Sequence, residues 1–359
     1  MKIAICALTQ RLDRLGGYFF RLKTLIRGLA NLGNEVIVIQ SDWAHQHSSL
    51  FFNSVKNLPV SSSIIESSFL DMRYYRFGFP AFWIIPIGKY LPKSIDVLDS
   101  HDPIVRIPVN RSFRAIFSHN HFNPYIYKHL NRCGYRSMPM LFEIPLLDKM
   151  LKSYQKKVDG YITQTGFQRR WMIDKYEIPA SAVTAIPPGY DSEHIHENCN
   201  LAKKSTHGTF VISYTGRLHT WKGVFELLEA FAQLSSNYPT WNLQYIGVGP
   251  ALPDLKKLVN RERLQERVKF LGQMEHSRTL ELVAKSDIFV FPSYIETFGM
   301  SLLEAMALGV PSIATRLEGI REYMIEDGKT GILIPLKDPT ALYHALIRLI
   351  SDIKFRTYL

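Results

Sequence analysis

The sequence predicts an α/β protein built from two doubly wound, Rossmann-like domains with parallel sheets. Three observations carry that expectation. Short apolar runs alternate with amphipathic segments of helical period along most of the chain, which is the pattern of repeated βαβ units. A length of 359 residues favours two cores over one. A polar stretch at 192–207, with no clear element, reads as a linker, giving an N-terminal domain over 1–191 and a C-terminal domain over 208–359.

Lys2–Leu8 is an apolar run suited to a buried parallel strand. A loop ending in Gly16-Gly17 leads into a helix from about Tyr18 to Asn31; Gly33 caps it, and Glu35–Ile39 is the next strand. The GxGxxG fingerprint is absent from this βαβ unit, which counts against a nicotinamide cofactor. Gly16-Gly17 serves equally as a plain turn or as a close backbone approach to a phosphate. Residues 41–94 show no assignable pattern. Ile95–His101 and Ala115–His119 are short apolar strands, each ending in a histidine. Ligands of open α/β sheets bind at the carboxyl ends of strands, so these histidines are candidates, with His121 beside His119 as a third. A helix over Met140–Val158, a strand at Asp159–Thr163, a helix at Gln168–Lys175 and a rigid turn over Ala185–Asp191 complete the first half.

The second half keeps the rhythm more cleanly. Strands are expected at Thr209–Tyr214, Asn242–Ile246, Val268–Leu271, Asp287–Phe291, Val310–Ala314 and Gly331–Ile334. Helices are expected near Gly223–Ser236, Leu252–Arg263, Ser277–Ala284, Ser301–Leu308, Gly319–Met324 and Pro339–Ile350. Two such domains would enclose a cleft between their strand ends.

Composition narrows the setting. Cys6, Cys133 and Cys199 are odd in number and far apart, which fits a reduced cytosolic compartment with no disulfide framework or structural zinc. The N-terminal apolar run is short for a signal peptide and reads as a strand. Phe77–Leu91 is broken by Gly78, Pro80, Pro86, Gly88 and Lys89, so it is not expected to span a membrane. The net charge is +11. Residues 1–190 hold 24 Lys/Arg against 13 Asp/Glu, and residues 191–359 hold 19 against 19, so the excess lies in the first half. That half also carries the aromatic run Met72–Trp83. A solvated basic face explains this; so does contact with an anionic membrane surface or acceptor. Composition does not exclude nucleic acid, although no nucleic-acid partner is expected.

The stretch from Pro292 to Met306 is the richest in chemistry. It joins an apolar strand to an apolar helix through a turn holding Glu296, Thr297, Phe298 and Gly299, with Glu304 eight residues after Glu296. A strand, a glycine turn and a helix N-terminus present backbone N–H groups to an anion, and flanking carboxylates can accept from hydroxyls. The pattern suits a ligand carrying phosphate and sugar. Ser301-Leu-Leu-Glu304 also fits a capping box, which gives Glu304 a purely structural alternative. Upstream, Arg217 and Lys222 flank a loop between a strand and a helix, where cations could neutralise a diphosphate leaving group.

Taken together, Arg217-Leu-x-x-x-Lys222-Gly223, Gly247-x-Gly249-Pro250, Val268-Lys-Phe-Leu-Gly272, Pro292-Ser-x-x-Glu296-x-Phe-Gly-x-x-Leu-Leu-Glu304, Gly309-Val-Pro-Ser-Ile-Ala and Asp327-Gly-x-Thr-Gly331 resemble the retaining family 4 glycosyltransferases of GT-B fold. The resemblance is close over about 209–350. It is looser earlier, at Gly16-Gly17, Asp96-Val-x-x-x-His101 and Pro187-Pro-Gly-x-Asp191. It implies a UDP- or GDP-sugar as substrate, with Arg217 and Lys222 on the diphosphate and Glu304 on the ribose hydroxyls. It places Glu296 beside the transferred sugar, and Phe298, Gly299 and Met300 at the sugar and phosphates. Gly16 and Gly17 match the loop closing on the diphosphate, and His119 the sugar-contacting histidine. Gly247, Thr297 and Leu303 join the implied donor set; His101 and His121 fall on the acceptor side. Arg217, Lys222, Glu296 and His119 are the implied catalytic groups. No Asp-x-Asp triplet is present, and neither metal nor cofactor is expected. Where the family often has a second histidine, two positions before His101, this chain has Asp99. Family members commonly continue past the helix at Pro339–Ile350 with a helix returning to the first domain; here Leu359 follows soon after.

The expected function is hexose transfer, with retention, to a lipid-linked or anionic polysaccharide acceptor in cell-envelope glycan synthesis. The expected location is cytoplasmic, extending to the inner face of the membrane. A non-catalytic sugar-nucleotide or membrane-surface binding protein on the same fold is the alternative from another class. A sugar-nucleotide epimerase is the enzymatic one; a phosphorylase would need a pyridoxal lysine that the sequence does not identify.

Overall fold

The computed structural model describes residues 1–6, 17–41, 65–67, 85–86, 91, 94–101, 105–108, 111–119, 152, 157–192, 195–197 and 210–359. The expected Gly16, His121 and most of the helix over Met140–Val158 lie outside the described residues. The chain folds into two compact units, Met1–Gly189 and Tyr190–Leu359, and each holds a wholly parallel main sheet with strand order reversing once.

In the first unit, β1 (Lys2–Cys6) is flanked by β2 (Glu35–Ser41) and, through β2, by β3 (Ile65–Ser67). On its other side lie β5 (Val97–Ser100), β7 (Arg114–His119), β8 (Gly160–Thr163) and β9 (Val183–Ala185), while β4 (Ile85–Pro86) and β6 (Val105–Arg106) form a separate pair. The direction of winding thus changes between β1 and β5. Ile3, Ala4, Ile5 and Cys6 are all buried, as a strand covered on both faces requires. Helix α1 (Gly17–Asn31) buries Leu22, Ile26 and Ala30, one face at four-residue spacing. Helix α2 (Gly166–Tyr176) is capped by Thr165, whose hydroxyl accepts from Gln168 N–H at 3.1 Å, while Gln168 Oε1 accepts from Gln164 N–H at 2.8 Å. The expected strand over Ile95–His101 narrows to β5, with His101 just beyond it, its N–H donating to Cys6 O at 2.9 Å.

The second unit orders its strands β12 (Val268–Gly272), β11 (Trp241–Ile246), β10 (Phe210–Thr215), β13 (Ile288–Phe291), β14 (Ser312–Thr315) and β15 (Ile332–Ile334). In chain order this is the 3-2-1-4-5-6 dinucleotide-fold arrangement, with its switch between β10 and β13. The helices are α3 (Val224–Ser235), α4 (Leu252–Arg261), α5 (His276–Ala284), α6 (Met300–Ala307), α7 (Glu318–Tyr323) and α8 (Pro339–Ser351). Every expected strand and helix is present here within one or two residues, the usual uncertainty of element ends. The four buried residues of β13 split by alternation: Ile288 and Val290 join a cluster with Leu227, Phe231 and Leu346, while Phe289 and Phe291 join one with Leu280, Leu302 and Ala305. The sheet is therefore covered on both faces.

One expectation changes. The stretch read as a featureless linker begins with helical backbone at 192 and 195–197, and Ile195 is buried in the second unit's core with Phe289 and Leu302. One apolar residue among polar neighbours was enough to anchor it. After α8, a short helix α9 (Ile353–Tyr358) is capped by the Asp352 side chain accepting from Phe355 N–H. Its Arg356 lies over the rings of Phe210 and Trp241, 5.4 Å from each centroid, so α9 packs on the second unit. Among the described residues no helix is long and apolar enough to cross a membrane.

Phe231 is fully buried between α3 and the sheet. Phe231→Ala is expected to cost about 3–5 kcal/mol, read as a lower urea midpoint for the second unit with an unchanged slope; a loss below about 1 kcal/mol contradicts this core assignment.

Candidate functional site

Because β10 and β13 are adjacent and parallel, the loops that follow them leave the same edge of the sheet. The first loop runs from Gly216 through a 3-10 turn, Thr220–Lys222, to Gly223, which holds φ +67 and precedes α3. The second is the stretch from Pro292 to Gly299. The two pack tightly: a Cβ on Gly223 would stand 2.1 Å from Pro292 O, and Tyr294 N–H donates to Trp221 O at 2.9 Å. A neighbouring contact is as close, since a Cβ on Gly247 would stand 2.0 Å from Gly216 O. These glycines are required by the approach of backbone to backbone, not by turn formation alone.

The packing brings Lys222 to Glu296 across 74 positions of sequence. Lys222 Nζ donates to Glu296 Oε1, and Ser293 Oγ donates to the same oxygen at 3.0 Å. Both charged side chains are largely but not wholly covered. Among the described residues Oε2 of Glu296 has no hydrogen-bond partner. Arg217 is exposed, and its backbone is fixed by Tyr214, whose hydroxyl donates to Arg217 O at 3.0 Å. Burial, with Glu296 adding to it, pushes the Tyr214 hydroxyl well above its ordinary value, so it stays a neutral donor. His219 stacks on Trp221 with centroids 3.3 Å apart. Burial, then Arg217 and Lys222, hold its pKa below the ordinary imidazole value, so it adds no third positive charge to the loop at neutral pH.

The capping-box alternative for Glu304 is overturned. The N-cap of α6 is Gly299, at φ +108, with no side-chain cap bond. Ser301 is already inside the helix, which puts Glu304 in its second turn. Gly299 O accepts from Leu302 and Leu303, and a Cβ on Gly299 would press on the Phe291 ring at 3.3 Å. Phe298 is buried against Tyr323, so its side chain belongs to the core, while Thr297, Met300 and Leu303 are partly exposed. The Glu304 carboxylate pairs with His276, Nε2 to Oε1 at 2.9 Å. His276 was missed from sequence, although it sits just past the carboxyl end of β12, the position type that drew attention to His101 and His119.

In the first unit, Gly17 opens α1 and His119 ends β7. His101 follows β5 and is sealed, its side chain 2% exposed, with Nε2 3.1 Å from Asp99 Oδ2. Burial works to raise the Asp99 carboxyl; His101, Ser118 and Arg21 together outweigh it and hold the carboxyl below its ordinary value. The residue that departs from the family pattern is thus the fixed partner of the histidine two positions on.

Comparison with known proteins shows the family and the fold. Residues 15–194 match the profile described as Glycosyltransferase Family 4, and residues 200–359 match Glycosyl transferases group 1. An alpha-D-kanosaminyltransferase of Streptomyces kanamyceticus is 34% identical over 41% of this chain and 38% of its own length. A D-inositol 3-phosphate glycosyltransferase of Corynebacterium jeikeium is 29% identical over 54% of this chain and 49% of its own. The chain spans half or less of each of these two curated relatives. Among solved structures, Anabaena HepE, crystallised with UDP and glucose, superposes with TM-score 0.69 at 17% identity, covering 100% of this chain and 92% of that one. The fold is GT-B.

The Asp99 carboxyl is held low, so its stabilisation is complete above the ordinary carboxyl value near 3.8 and is lost as pH falls through the lower folded value. Urea midpoints measured stepwise below pH 5 are expected to fall more steeply for the natural chain than for Asp99→Asn; parallel slopes would show that the Asp99 charge contributes nothing.

Proposed function

The chain belongs to the group 1, family 4 glycosyltransferases, and on that premise we propose that it transfers a hexose, with retention, from a UDP- or GDP-linked donor. The observation that carries the reading is the meeting of Lys222, Ser293 and Glu296 at the switch between β10 and β13, where this sheet order places its ligands. HepE supports a nucleotide donor, having been crystallised with UDP and glucose.

The chemistry follows from charge. Breaking a glycosyl–phosphate bond leaves positive charge on the sugar and negative charge on the departing diphosphate. Arg217 and Lys222, fixed on one loop, neutralise the diphosphate oxygens, and cations pre-set where charge develops lower the barrier without reorganisation. Glu296, one oxygen held by Lys222 and Ser293, keeps Oε2 for a sugar hydroxyl and stabilises the developing cation; it is not assigned as a covalent nucleophile. Glu304 takes the ribose hydroxyls. The turn from Thr297 to Met300 offers backbone N–H groups to sugar and phosphate, with Gly247 and Leu303 lining the same site. For the first unit the family resemblance assigns Gly16 and Gly17 to the diphosphate, His119 to the sugar, and His101 and His121 to the acceptor side. The acceptor hydroxyl attacks from the face that the diphosphate leaves. No metal is assigned, because the two cations supply the neutralisation.

Release of nucleotide from a UDP- or GDP-sugar is expected to fall about 100-fold or more in Lys222→Ala, further in Arg217→Ala with Lys222→Ala, and to persist in EDTA. An unchanged rate in the double variant sinks the donor site, and loss in EDTA restored by a divalent cation sinks the metal-free mechanism.

The acceptor reading is a lipid-linked or anionic envelope glycan met at a cytoplasmic membrane face, supported by the positive charge of residues 1–190. The chain is expected to sediment with phosphatidylglycerol vesicles at low salt and to be released as salt shortens the screening length. Failure to sediment at low salt removes the membrane contact and leaves the donor reading standing.

A further inference from the structure

We propose that His276 is a positioning residue that aims the Glu304 carboxylate at the ribose hydroxyls of a nucleoside diphosphate; this rests on the donor-site reading above. The pair joins two helices that begin at the same edge of the sheet. His276 is the first residue of α5, after β12, and Glu304 lies in the second turn of α6, after β13. Leu280, Val283 and Ala284 of α5 and Leu302 and Ala305 of α6 share one buried apolar cluster, and such close packing leaves neither helix room to shift freely. The hydrogen bond therefore runs between two fixed mounts. The side chains are 18% and 13% exposed, shielded enough to be ordered and open enough for a ligand to arrive.

The hydrogen-bond chemistry gives the pair its direction. A carboxylate only accepts, so Nε2 of His276 carries the hydrogen and donates to Oε1. Among the described residues Oε2 of Glu304 has no hydrogen-bond partner. An ionised carboxylate has about four lone-pair sites, and the imidazole uses one. Two neighbouring hydroxyls of a ribose can occupy the others only if the carboxylate plane is held still. Without His276 the Glu304 side chain is free about its terminal torsions, and ligand binding must then supply that ordering. A capping role does not compete, because Gly299 caps α6 without any side-chain bond.

The test is calorimetric titration of the full chain with UDP and GDP and with their 2′-deoxy forms, dUDP and dGDP. His276→Ala is expected to weaken the ribonucleotide that binds by roughly tenfold and to narrow the gap between it and its 2′-deoxy form. His276→Gln, whose amide N–H can reach the same oxygen, should recover most of both. Glu304→Gln should abolish the ribose preference, with His276→Ala adding nothing on top of it. Unchanged affinity and an unchanged gap in His276→Ala overturn the positioning role while leaving the donor site intact. Equal weakening of ribo and 2′-deoxy forms in both His276 variants also overturns it, assigning His276 to the scaffold instead. If neither UDP nor GDP binds the natural chain, the donor reading fails and this inference fails with it.

Discussion

Two loops that meet with no room for a methyl group set the geometry of the second unit. Gly223 stands where a Cβ would overlap Pro292 O at 2.1 Å, and that approach is possible only because β10 and β13 are neighbours at the point where strand order reverses. The ion pair of Lys222 and Glu296 is a consequence of this packing. A partly exposed ion pair contributes little to stability, whereas backbone held against backbone cannot shift without opening the loops. The scaffold thus fixes the loops independently of the charges they carry. A site that relied on its own ion pair for rigidity would loosen each time that pair opened.

Both acids of the motif have the same construction. Glu296 is held at Oε1 by Lys222 and Ser293, and Glu304 at Oε1 by His276. In each case the second oxygen has no hydrogen-bond partner among the described residues. Glu296 lies in the turn and Glu304 in the helix, so the two are held by different elements and aim independently. The intervening Phe298 is buried and leaves the turn's backbone as its contribution. This division accounts for acidic, aromatic and glycine residues within nine positions: two carboxylates each held at one oxygen, an apolar anchor below, and a left-handed glycine at φ +108 that starts the helix.

Much of the second unit was legible in the sequence, because its strands are short apolar runs bounded by turn residues and its helices bury regular faces. The contacts that make the site were not. Nothing in the local pattern says that residue 222 touches residue 296; that follows from strand order, which the chain does not display. Glu304 shows the limit most clearly. Ser301-x-x-Glu304 satisfies the local capping rule, yet the left-handed Gly299 starts the helix earlier and turns Glu304 to His276. Ile195 shows the reverse, a lone apolar residue in a polar stretch whose burial is decided by the core it reaches. In the first unit, Gly17 and His119 fall at the strand and helix ends expected of them, while His101 proves to be a buried partner of Asp99, a pairing that two-residue spacing along a strand permits and does not announce.

Charge is distributed unevenly between the two halves. The second half balances 19 basic against 19 acidic residues, yet it is the half assigned an anionic diphosphate. Two cations on one loop are proposed to suffice there: Lys222 is partly covered, where its field is less screened, and Arg217 is exposed on the same loop. Net charge acts differently: it works over a whole surface and is weakened by salt. The excess of the first half is therefore not required for the donor. It is the feature on which the proposal of an extended anionic partner for residues 1–190, acceptor or membrane, rests.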